Sequence, residues 1–249
     1  MALERTEGVV LRRMDLGEAD RIVTLLTRRF GRIKAVAKGC RKPTSRLAGY
    51  LEPLSLCSFL LWKREGRDLS LVRSSDLLIP QDRLGTDLGA FAAAQVAAEL
   101  ADAGTPEGEP QPRLYDLLAR FLEALGRPEH AFPALSAYAL RACEALGYHL
   151  DPLVCAGCGN RMSAGEARLS YPGGGMLCPS CASRDAGAGE IVDASSMRAL
   201  MAAAARPPRA VPAVQAAGAM RVLDRWLAWH QERRPLSSVA LLEEVARAG

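Results

Sequence analysis

The stretch Cys155-Ala156-Gly157-Cys158 is answered by Cys178-Pro179-Ser180-Cys181, and 19 residues separate the two pairs. Two C-x2-C pairs at this spacing are typical of a zinc ribbon or zinc knuckle. Gly157 and Gly159 permit the backbone turn at the first pair, and Pro179 fixes φ in the second, so that the sulfurs can aim at one point. We predict that the four cysteines bind one zinc ion per chain. The site is structural rather than catalytic, because four thiolates leave no position for water.

Other uses of four cysteines fit the sequence less well. Two disulfides suit a small secreted scaffold, and this chain is large and shows no export signal. An iron–sulfur cluster also takes four thiolates. A thioredoxin-like redox site needs one C-x-x-C beside a βαβ pattern, which we do not find. His149 lies close enough in sequence to replace one thiolate.

The composition favours a globular protein of the cytoplasm. The chain has 249 residues, of which 49% are apolar, enough for a core. No apolar run approaches the roughly 18 residues that a membrane span needs, and the N-terminus lacks the pattern of a signal peptide. We therefore expect no membrane partner, and reduced, packed thiols at Cys40, Cys57 and Cys143.

The first 80 residues carry five β-rich segments separated by turn signals. In the third segment, Arg32–Lys38, basic and apolar residues alternate, which gives one apolar face and one positive face. A loop, Gly39–Arg46, follows it, and Ser45 can cap a short helical turn. The predicted strands cover residues 6–14, 21–27, 32–38, 54–63 and 68–78, with a turn at 64–67. Five short strands with a small helix after the third indicate a closed barrel of the OB type.

After Pro80 the pattern becomes helical. The predicted helices cover residues 84–103, 113–125, 132–146, 197–205, 214–229 and 237–249, and Ser195 is the predicted N-cap of the fourth. We therefore predict an α+β, multi-domain protein. An OB-fold nucleic-acid-binding domain at 1–80 precedes a helical domain at 81–249, which the zinc module interrupts at about 151–185.

An apolar stripe marks the helix predicted over 214–229. Val222, Trp226 and Trp229 are spaced i, i+4, i+7 and so share one face. We interpret this stripe as core packing rather than as a groove for a partner.

The motifs of nucleotide hydrolysis and acyl transfer are missing. The sequence has neither a G-x-x-x-x-G-K-[ST] loop nor a G-x-S-x-G elbow. The three histidines are scattered, and no acidic cluster is placed to hold a catalytic metal. We therefore interpret the chain as a binding protein and not an enzyme.

The N-terminal part is basic. Residues 1–83 contain 17 Lys and Arg against 10 Asp and Glu, whereas the remainder has 15 against 18. One run, from Arg28 to Arg46, has eight cations and no acid. A run of one sign favours a polyanionic partner, although an ordinary solvated hairpin is the alternative. The candidate DNA-binding residues are Arg28, Arg29, Arg32, Lys34, Lys38, Arg41, Lys42 and Arg46.

Several stretches resemble one family of bacterial recombination mediators, RecO. They are Glu7–Leu11, Gly17–Thr24, Ala37–Lys42, Ser45–Gly49 and Pro235–Ser238, together with the four-cysteine module. The resemblance implies an N-terminal OB fold, a helical domain and an inserted zinc module. Some members of that family lack the cysteines, and this chain has all four.

The resemblance also implies a function. Such proteins bind single- and double-stranded DNA, anneal complementary strands and act with the ring protein RecR in recombinational DNA repair. They contact the acidic tail of the single-stranded-DNA-binding protein and so help to load recombinase, which implies a cytoplasmic, nucleoid-associated protein. We expect the tail pocket within residues 84–249, where Arg120, Arg141 and Arg198 are candidate cations.

Two other functions fit the residues. An OB barrel with a basic strand could bind RNA, which a competition between single-stranded DNA and RNA would reveal. A zinc-stabilised adaptor could use the same basic face for an acidic protein tail. Such an adaptor would tolerate charge reversal at Lys38 and Arg41 without a nucleic-acid phenotype.

Overall fold

The computed structural model describes residues 2–45, 47–63, 69–79, 82–125 and 131–248. These residues form two compact units. The first comprises Met1–Thr86 and Ala101–Glu123, and the second comprises Asp87–Leu100 and Ala124–Gly249. The unit that contains the N-terminal strands thus also holds residues 101–123, which the sequence-based division placed in the helical domain. The predicted turn at 64–67 lies outside the described residues.

The first unit is built on a closed five-stranded barrel, as predicted from the β-rich segments. Its strands follow the order β1-β2-β3-β5-β4, and every neighbouring pair is antiparallel except β3 and β5. The strands are β1 Ala2–Leu16, β2 Asp20–Thr27, β3 Gly31–Ala37, β4 Leu56–Lys63 and β5 Leu69–Ile79. A 3-10 helix, Ala48–Tyr50, follows β3, which completes the arrangement expected of an OB fold.

The long first strand closes the barrel because it pairs twice. Its first half pairs with β4, from Ala2 opposite Lys63 to Val9 opposite Leu56, and its second half pairs with β2. Inward-facing side chains of all five strands fill the interior, where Leu25, Phe59 and Leu61 are fully buried. The period-two pattern of the sequence therefore corresponds to an inside and an outside of the barrel.

The residues that connect the first two α-helices of the chain run along β3. Helix α1 (Leu88–Gly104) ends before them, and α2 (Pro112–Ala124) begins after them. Glu107 forms a parallel bridge with Arg32, and the backbone N–H of Gly108 donates to the carbonyl of Arg32 at 2.8 Å. We call residues 102–116 the acidic segment.

The second unit is helical, and its long helix α6 (Ala213–His230) packs against three others. These are α3 (Ala131–Ala145), α5 (Ala194–Ala204) and α7 (Ser237–Ala248). Cys143 lies in this core, and burial raises the pKa of its thiol to about 12. It is free and buried, as are Cys40 and Cys57 in the first unit, which confirms the predicted packing of these three residues.

A carboxylate caps α7. Glu99 accepts hydrogen bonds from the hydroxyl of Ser237 at 3.0 Å and from the backbone N–H of Ser238 at 2.9 Å. Burial alone would raise the pKa of Glu99, but these hydrogen bonds outweigh it and the pKa lies below its usual value. The cap therefore stabilises the fold above the usual glutamate pKa and is lost as the pH falls through the lowered value.

A small sheet belongs to the same unit, and its strands lie between α3 and α5 in the sequence. Its order is β7-β6-β8, with β6 at Ala167–Ser170, β7 at Gly175–Leu177 and β8 at Gly189–Val192. A short helix, α4 (Pro179–Ala182), follows β7. Arg168 on β6 forms a 2.9 Å ion pair with Asp185. The structured module thus extends to Val192, beyond the predicted limit of 185.

Two details of the helical prediction are wrong. The N-cap of α5 is Asp193 and not Ser195, because the Asp193 carboxylate accepts from the backbone N–H groups of Ser195 and Ser196. Trp229 is not a core residue. Val222 and Trp226 are buried, but Trp229 is 50% exposed and stacks on Tyr171 with 4.9 Å between ring centroids.

Among the helices of the described residues, none combines the length and apolarity that crossing a membrane requires.

The contact between the acidic segment and β3 can be tested at Gly31. A Cβ at this position would lie 1.9 Å from the carbonyl oxygen of Glu109, and Gly31 has a φ of +64°. Gly17 is the matched control, since its φ is +59° but its Cβ would meet no described atom within 4 Å. Both changes to alanine incur the backbone strain, and we expect Gly31→Ala to destabilise by about 2 kcal/mol more. Guanidinium unfolding measures both, and equal losses would contradict this contact.

Candidate metal centre and nucleic-acid interface

The four cysteines of the second unit come together in space. Their sulfur atoms all lie within 4.8 Å of one another, and Cys158 Sγ and Cys178 Sγ are 3.9 Å apart. Among the described residues, this is the only group of three or more His, Cys, Asp or Glu side chains placed to hold a metal ion. His149 is not part of it.

The first pair of cysteines is held by a backbone turn. The N–H of Gly159 donates to the carbonyl of Cys155 at 2.9 Å, and the N–H of Ala156 donates to Met176 on β7 at 2.8 Å. Gly157 is required by the space available, since a Cβ there would lie 3.1 Å from Cys181 Sγ and 3.3 Å from Leu177. The glycine therefore lets the two pairs approach each other.

The second pair lies on the short helix α4. Pro179 occupies the first turn of that helix, where a missing N–H costs nothing. The N–H of Cys181 donates to the carbonyl of Cys178 at 3.0 Å, and the N–H of Cys178 points at Cys155 Sγ at 3.3 Å. The backbone thus aims both sulfurs of this pair at those of the first.

The distances fit a metal ion better than disulfides. A disulfide needs an S–S length of about 2.05 Å, and all four cysteines are free. Four thiolates about 2.3 Å from a tetrahedral metal would lie about 3.8 Å apart, close to the 3.9 Å between Cys158 and Cys178. The cluster can therefore hold a metal ion with four sulfur ligands and no open position.

The surroundings of Cys155 lower the pKa of its thiol, which favours metal binding. Burial alone would raise the pKa of Cys155, but the backbone N–H groups of Cys178, Cys158 and Gly157 outweigh it and lower the pKa to about 6. These hydrogen bonds favour the thiolate form of Cys155, which is the form that binds metals.

The predicted DNA-binding run lies on β3 and on the residues before and after it. The structure shows that its N-terminal half is neutralised. Arg28 pairs with Asp116 at 3.1 Å, Lys34 pairs with Glu107 at 3.0 Å, and Arg29 pairs with Glu4 at 3.0 Å. The run has no acid of its own, but carboxylates distant in sequence are folded onto it.

One of these contacts is made by a buried carboxylate. Asp102 is only 2% exposed, and it pairs with Arg32 at 3.1 Å and also with Arg12 on β1. Because a carboxylate at this depth requires compensation, the two guanidinium groups are part of the fold. Arg32 is therefore a structural residue as well as a candidate DNA ligand.

The C-terminal half of the run is more open. Lys38 and Lys42 are exposed, and neither forms an ion pair with another described residue. Arg41 is anchored, because it donates to the carbonyl of Gly17 at 2.8 Å and pairs with Asp15 at 3.4 Å. Arg46 lies outside the described residues. The unneutralised charge of the run thus lies just after β3.

The sequence analysis missed the acids that cover β3. They are Asp102, Glu107 and Asp116, and they are 70 to 88 residues away from their partners. One signal was present, because the loop between the first two predicted helices carries Glu107 and Glu109.

Each unit contains an open cavity. The one in the first unit, of about 430 Å³, is polar and is lined by Glu7, Arg28, Tyr115 and the tail-pocket candidate Arg120, among others. The one in the second unit, of about 580 Å³, is lined by Tyr171, Arg225, Ala228, Trp229, Glu232, Arg233 and Pro235. The other two candidates, Arg141 and Arg198, are exposed on α3 and α5 and line neither cavity.

Two family models match the chain. The model described as Recombination protein O N terminal covers residues 1–80, and the model described as Recombination protein O C terminal covers residues 85–240.

Curated relatives agree with these matches, and each bears the name DNA repair protein RecO. The relative from Nocardioides sp. is 38% identical over 97% of this chain and 99% of its own length. The relative from Frankia casuarinae is 40% identical over 94% of this chain and 96% of its own length. The relative from Roseiflexus sp. is 41% identical over 73% of this chain. The matched region covers 63% of that relative's length, which is less than two thirds.

An OB barrel followed by helices that carry a four-cysteine cluster is the architecture expected of a recombination mediator. Together with the two family matches, it shows that the chain belongs to the RecO family of DNA repair proteins.

The depth of the carboxylates gives a stability prediction. Asp102→Asn leaves Arg32 without its charged partner in a half-buried site, and we expect a loss of about 2 kcal/mol. Glu107→Gln is the matched control, because Lys34 and Glu107 are 48% and 36% exposed and such pairs contribute less than about 1 kcal/mol. Denaturant unfolding of both variants measures the difference. Equal effects would contradict the structural role of Asp102.

Proposed function

We propose that this protein is a non-enzymatic DNA-binding protein of recombinational repair. It binds single- and double-stranded DNA and promotes the annealing of complementary strands. With RecR it helps to load recombinase onto DNA coated by single-stranded-DNA-binding protein, in the cytoplasm at the nucleoid. The proposal assigns no catalytic residue.

The observation that carries the proposal is the unneutralised charge after β3. Lys38 and Lys42 are exposed cations without an acidic partner among the described residues, on the barrel of a chain that belongs to the RecO family. Cations on a strand end and its loop can follow a phosphate backbone without reading bases. The DNA site therefore centres on Lys38 and Lys42. Arg41 is a secondary candidate, because it pairs with Asp15 and donates to Gly17. Arg46 remains a candidate from the sequence alone.

The paired cations have a secondary place in this site. Arg28, Arg29, Arg32 and Lys34 each have a carboxylate partner, so a phosphate must compete with that partner. Annealing brings two polyanions together, and neutralising phosphates on both strands lowers their repulsion. The unpaired cations can neutralise phosphates without first releasing a carboxylate partner.

We also propose that the metal is zinc. Four thiolates without an open position suit structural zinc, and the sulfur spacing is compatible with its tetrahedral bond lengths. Zinc would be bound by Cys155, Cys158, Cys178 and Cys181, and its role is to hold the module together. It takes no part in DNA chemistry.

For the tail of the single-stranded-DNA-binding protein, we propose the cavity of the second unit. Its apolar wall of Tyr171, Trp229 and Pro235 stands beside Arg225 and Arg233. An acidic peptide with apolar side chains needs such a slot beside a cation. Arg225 and Arg233 already pair with Glu190 and Asp224, so the peptide carboxylates would compete with these groups.

The zinc proposal predicts about one zinc per chain in protein purified under reducing conditions. Cys158→Ser removes an exposed ligand, and we expect most of the zinc to be lost and the module to become sensitive to proteolysis. Cys143→Ala is the control, since Cys143 is in the same unit but outside the cluster. Metal analysis by mass spectrometry checks both. Wild-type protein without zinc, or equal zinc in both variants, would refute the assignment.

The DNA proposal predicts a steep dependence on salt. Each phosphate contact on a single strand contributes roughly −0.7 to the slope of log K against log salt, so about four contacts give a slope near −3. Lys38→Gln should flatten this slope by about 0.7 and weaken all sequences alike. Lys34→Gln is the matched control, because Glu107 neutralises Lys34 in the folded protein, and its effect should be smaller.

Fluorescence anisotropy with a mixed-sequence oligonucleotide measures both slopes. A wild-type slope near zero, or equal effects of the two substitutions, would place the site elsewhere. Preferential binding of RNA in competition would favour an RNA-binding protein instead.

A further inference from the structure

An exposed tryptophan lies on the outer face of the barrel. Trp62 on β4 is 38% exposed. Its cross-strand partners are Leu3 on β1 and Leu71 on β5, and such partners share one face of a sheet. Leu3 is 60% exposed. The three side chains therefore form an open apolar row across three strands.

A cation accompanies this row. The guanidinium carbon of Arg73 lies 5.6 Å from the ring centroid of Trp62, within the range of a cation–π contact. Arg73 is two residues from Leu71 on β5, and it therefore lies on the same outer face as Leu71 and Trp62. Neither Arg73 nor the exposed Arg5 forms an ion pair with another described residue, and Glu4 is already bound by Arg29. The row is thus bordered by unneutralised positive charge.

The outer face of the barrel leads from this row to β3, the strand that precedes Lys38 and Lys42, where Val36 is buried. Leu71 is the register partner of Val36 on β3, so Val36 and Trp62 are two strand spacings apart, about 10 Å. Lys38 is two residues beyond Val36, in the turn that follows β3, and two residues of chain span at most about 7 Å. One polymer can therefore contact Lys38 and Trp62 together.

We propose that Trp62, together with Arg73, is a stacking platform for an unpaired base of single-stranded nucleic acid. The proposal rests on the proposed function, since the same strand is held by its phosphates at Lys38 and Lys42. Every base has a π-face, so the platform accepts any sequence, and a guanidinium plane can stack on bases as well. Bases of a duplex are stacked on one another, so the platform distinguishes single strands from double strands.

Charge decides between nucleic acid and a protein partner on this face. An apolar row would also suit a protein, but free arginines beside it and free lysines at its end complement a polyanion. We therefore assign nucleic acid as the occupant.

The test compares three DNA probes of equal length and equal charge per strand: a mixed-sequence single strand, the same strand with abasic residues, and a duplex. We expect wild-type protein to bind the natural single strand more tightly than the abasic one. Trp62→Ala should weaken binding of the natural single strand about tenfold and leave the other two probes nearly unchanged. Lys38→Gln should weaken all three probes.

Trp62→Phe keeps an aromatic ring and guards against a folding defect in the alanine variant. It should bind the natural strand within about threefold of wild type. Binding should quench the tryptophan fluorescence of wild type, and this quench should be absent in Trp62→Phe.

The outcomes distinguish a failure of the stacking platform from a failure of the proposed DNA-binding function. If Trp62→Ala binds all three probes as wild type does, the platform is refuted while DNA binding stands, and the face is left to a protein partner. If wild type does not distinguish natural from abasic strands, the platform is also refuted. If no probe binds at low salt, the proposed function itself fails and the platform fails with it.

Discussion

The pairing of carboxylates from residues 102–116 with the cations of β3 shapes the first unit. Asp102 is buried and has two arginine partners, and Gly108 donates a backbone hydrogen bond to the same strand. A carboxylate at that depth is tolerated only with charged partners, so the segment and the strand depend on each other. The run from Arg28 to Arg46 seemed in sequence to offer eight free charges, but its N-terminal half is paired with carboxylates from elsewhere in the chain.

The sequence predicted those features whose signal is local. The cysteine spacing was sufficient for the four-cysteine cluster, because each pair lies within four residues and the two pairs are close along the chain. β-rich segments between turn signals, with apolar and basic residues alternating in the third, were sufficient for the five strands, whose observed bounds differ from the predicted ones by a few residues. The apolar stripe on α6 was interpreted correctly at Val222 and Trp226.

The features that were missed depend on tertiary neighbours. Arg32 and Asp102 are 70 residues apart, and the local sequence around either residue does not indicate that the two form a pair. Trp229 follows the helical stripe, but Tyr171 of the module provides a surface on which it stacks while half exposed. Asp193 displaced Ser195 as the cap because its carboxylate reaches two backbone N–H groups at once. The exposed row around Trp62 required the register of three strands, which sequence alone did not provide.

The order of these segments along the chain has a consequence for synthesis. The basic strand is complete at Ala37, whereas the first of its covering acids, Asp102, is 65 residues further on. At about 5–20 residues per second, the ribosome needs roughly 3–13 seconds to make the intervening chain. During that interval the nascent strand carries its full positive charge beside a polyanionic ribosome. The acidic segment therefore acts late, as an internal counterion that emerges after the strand it neutralises.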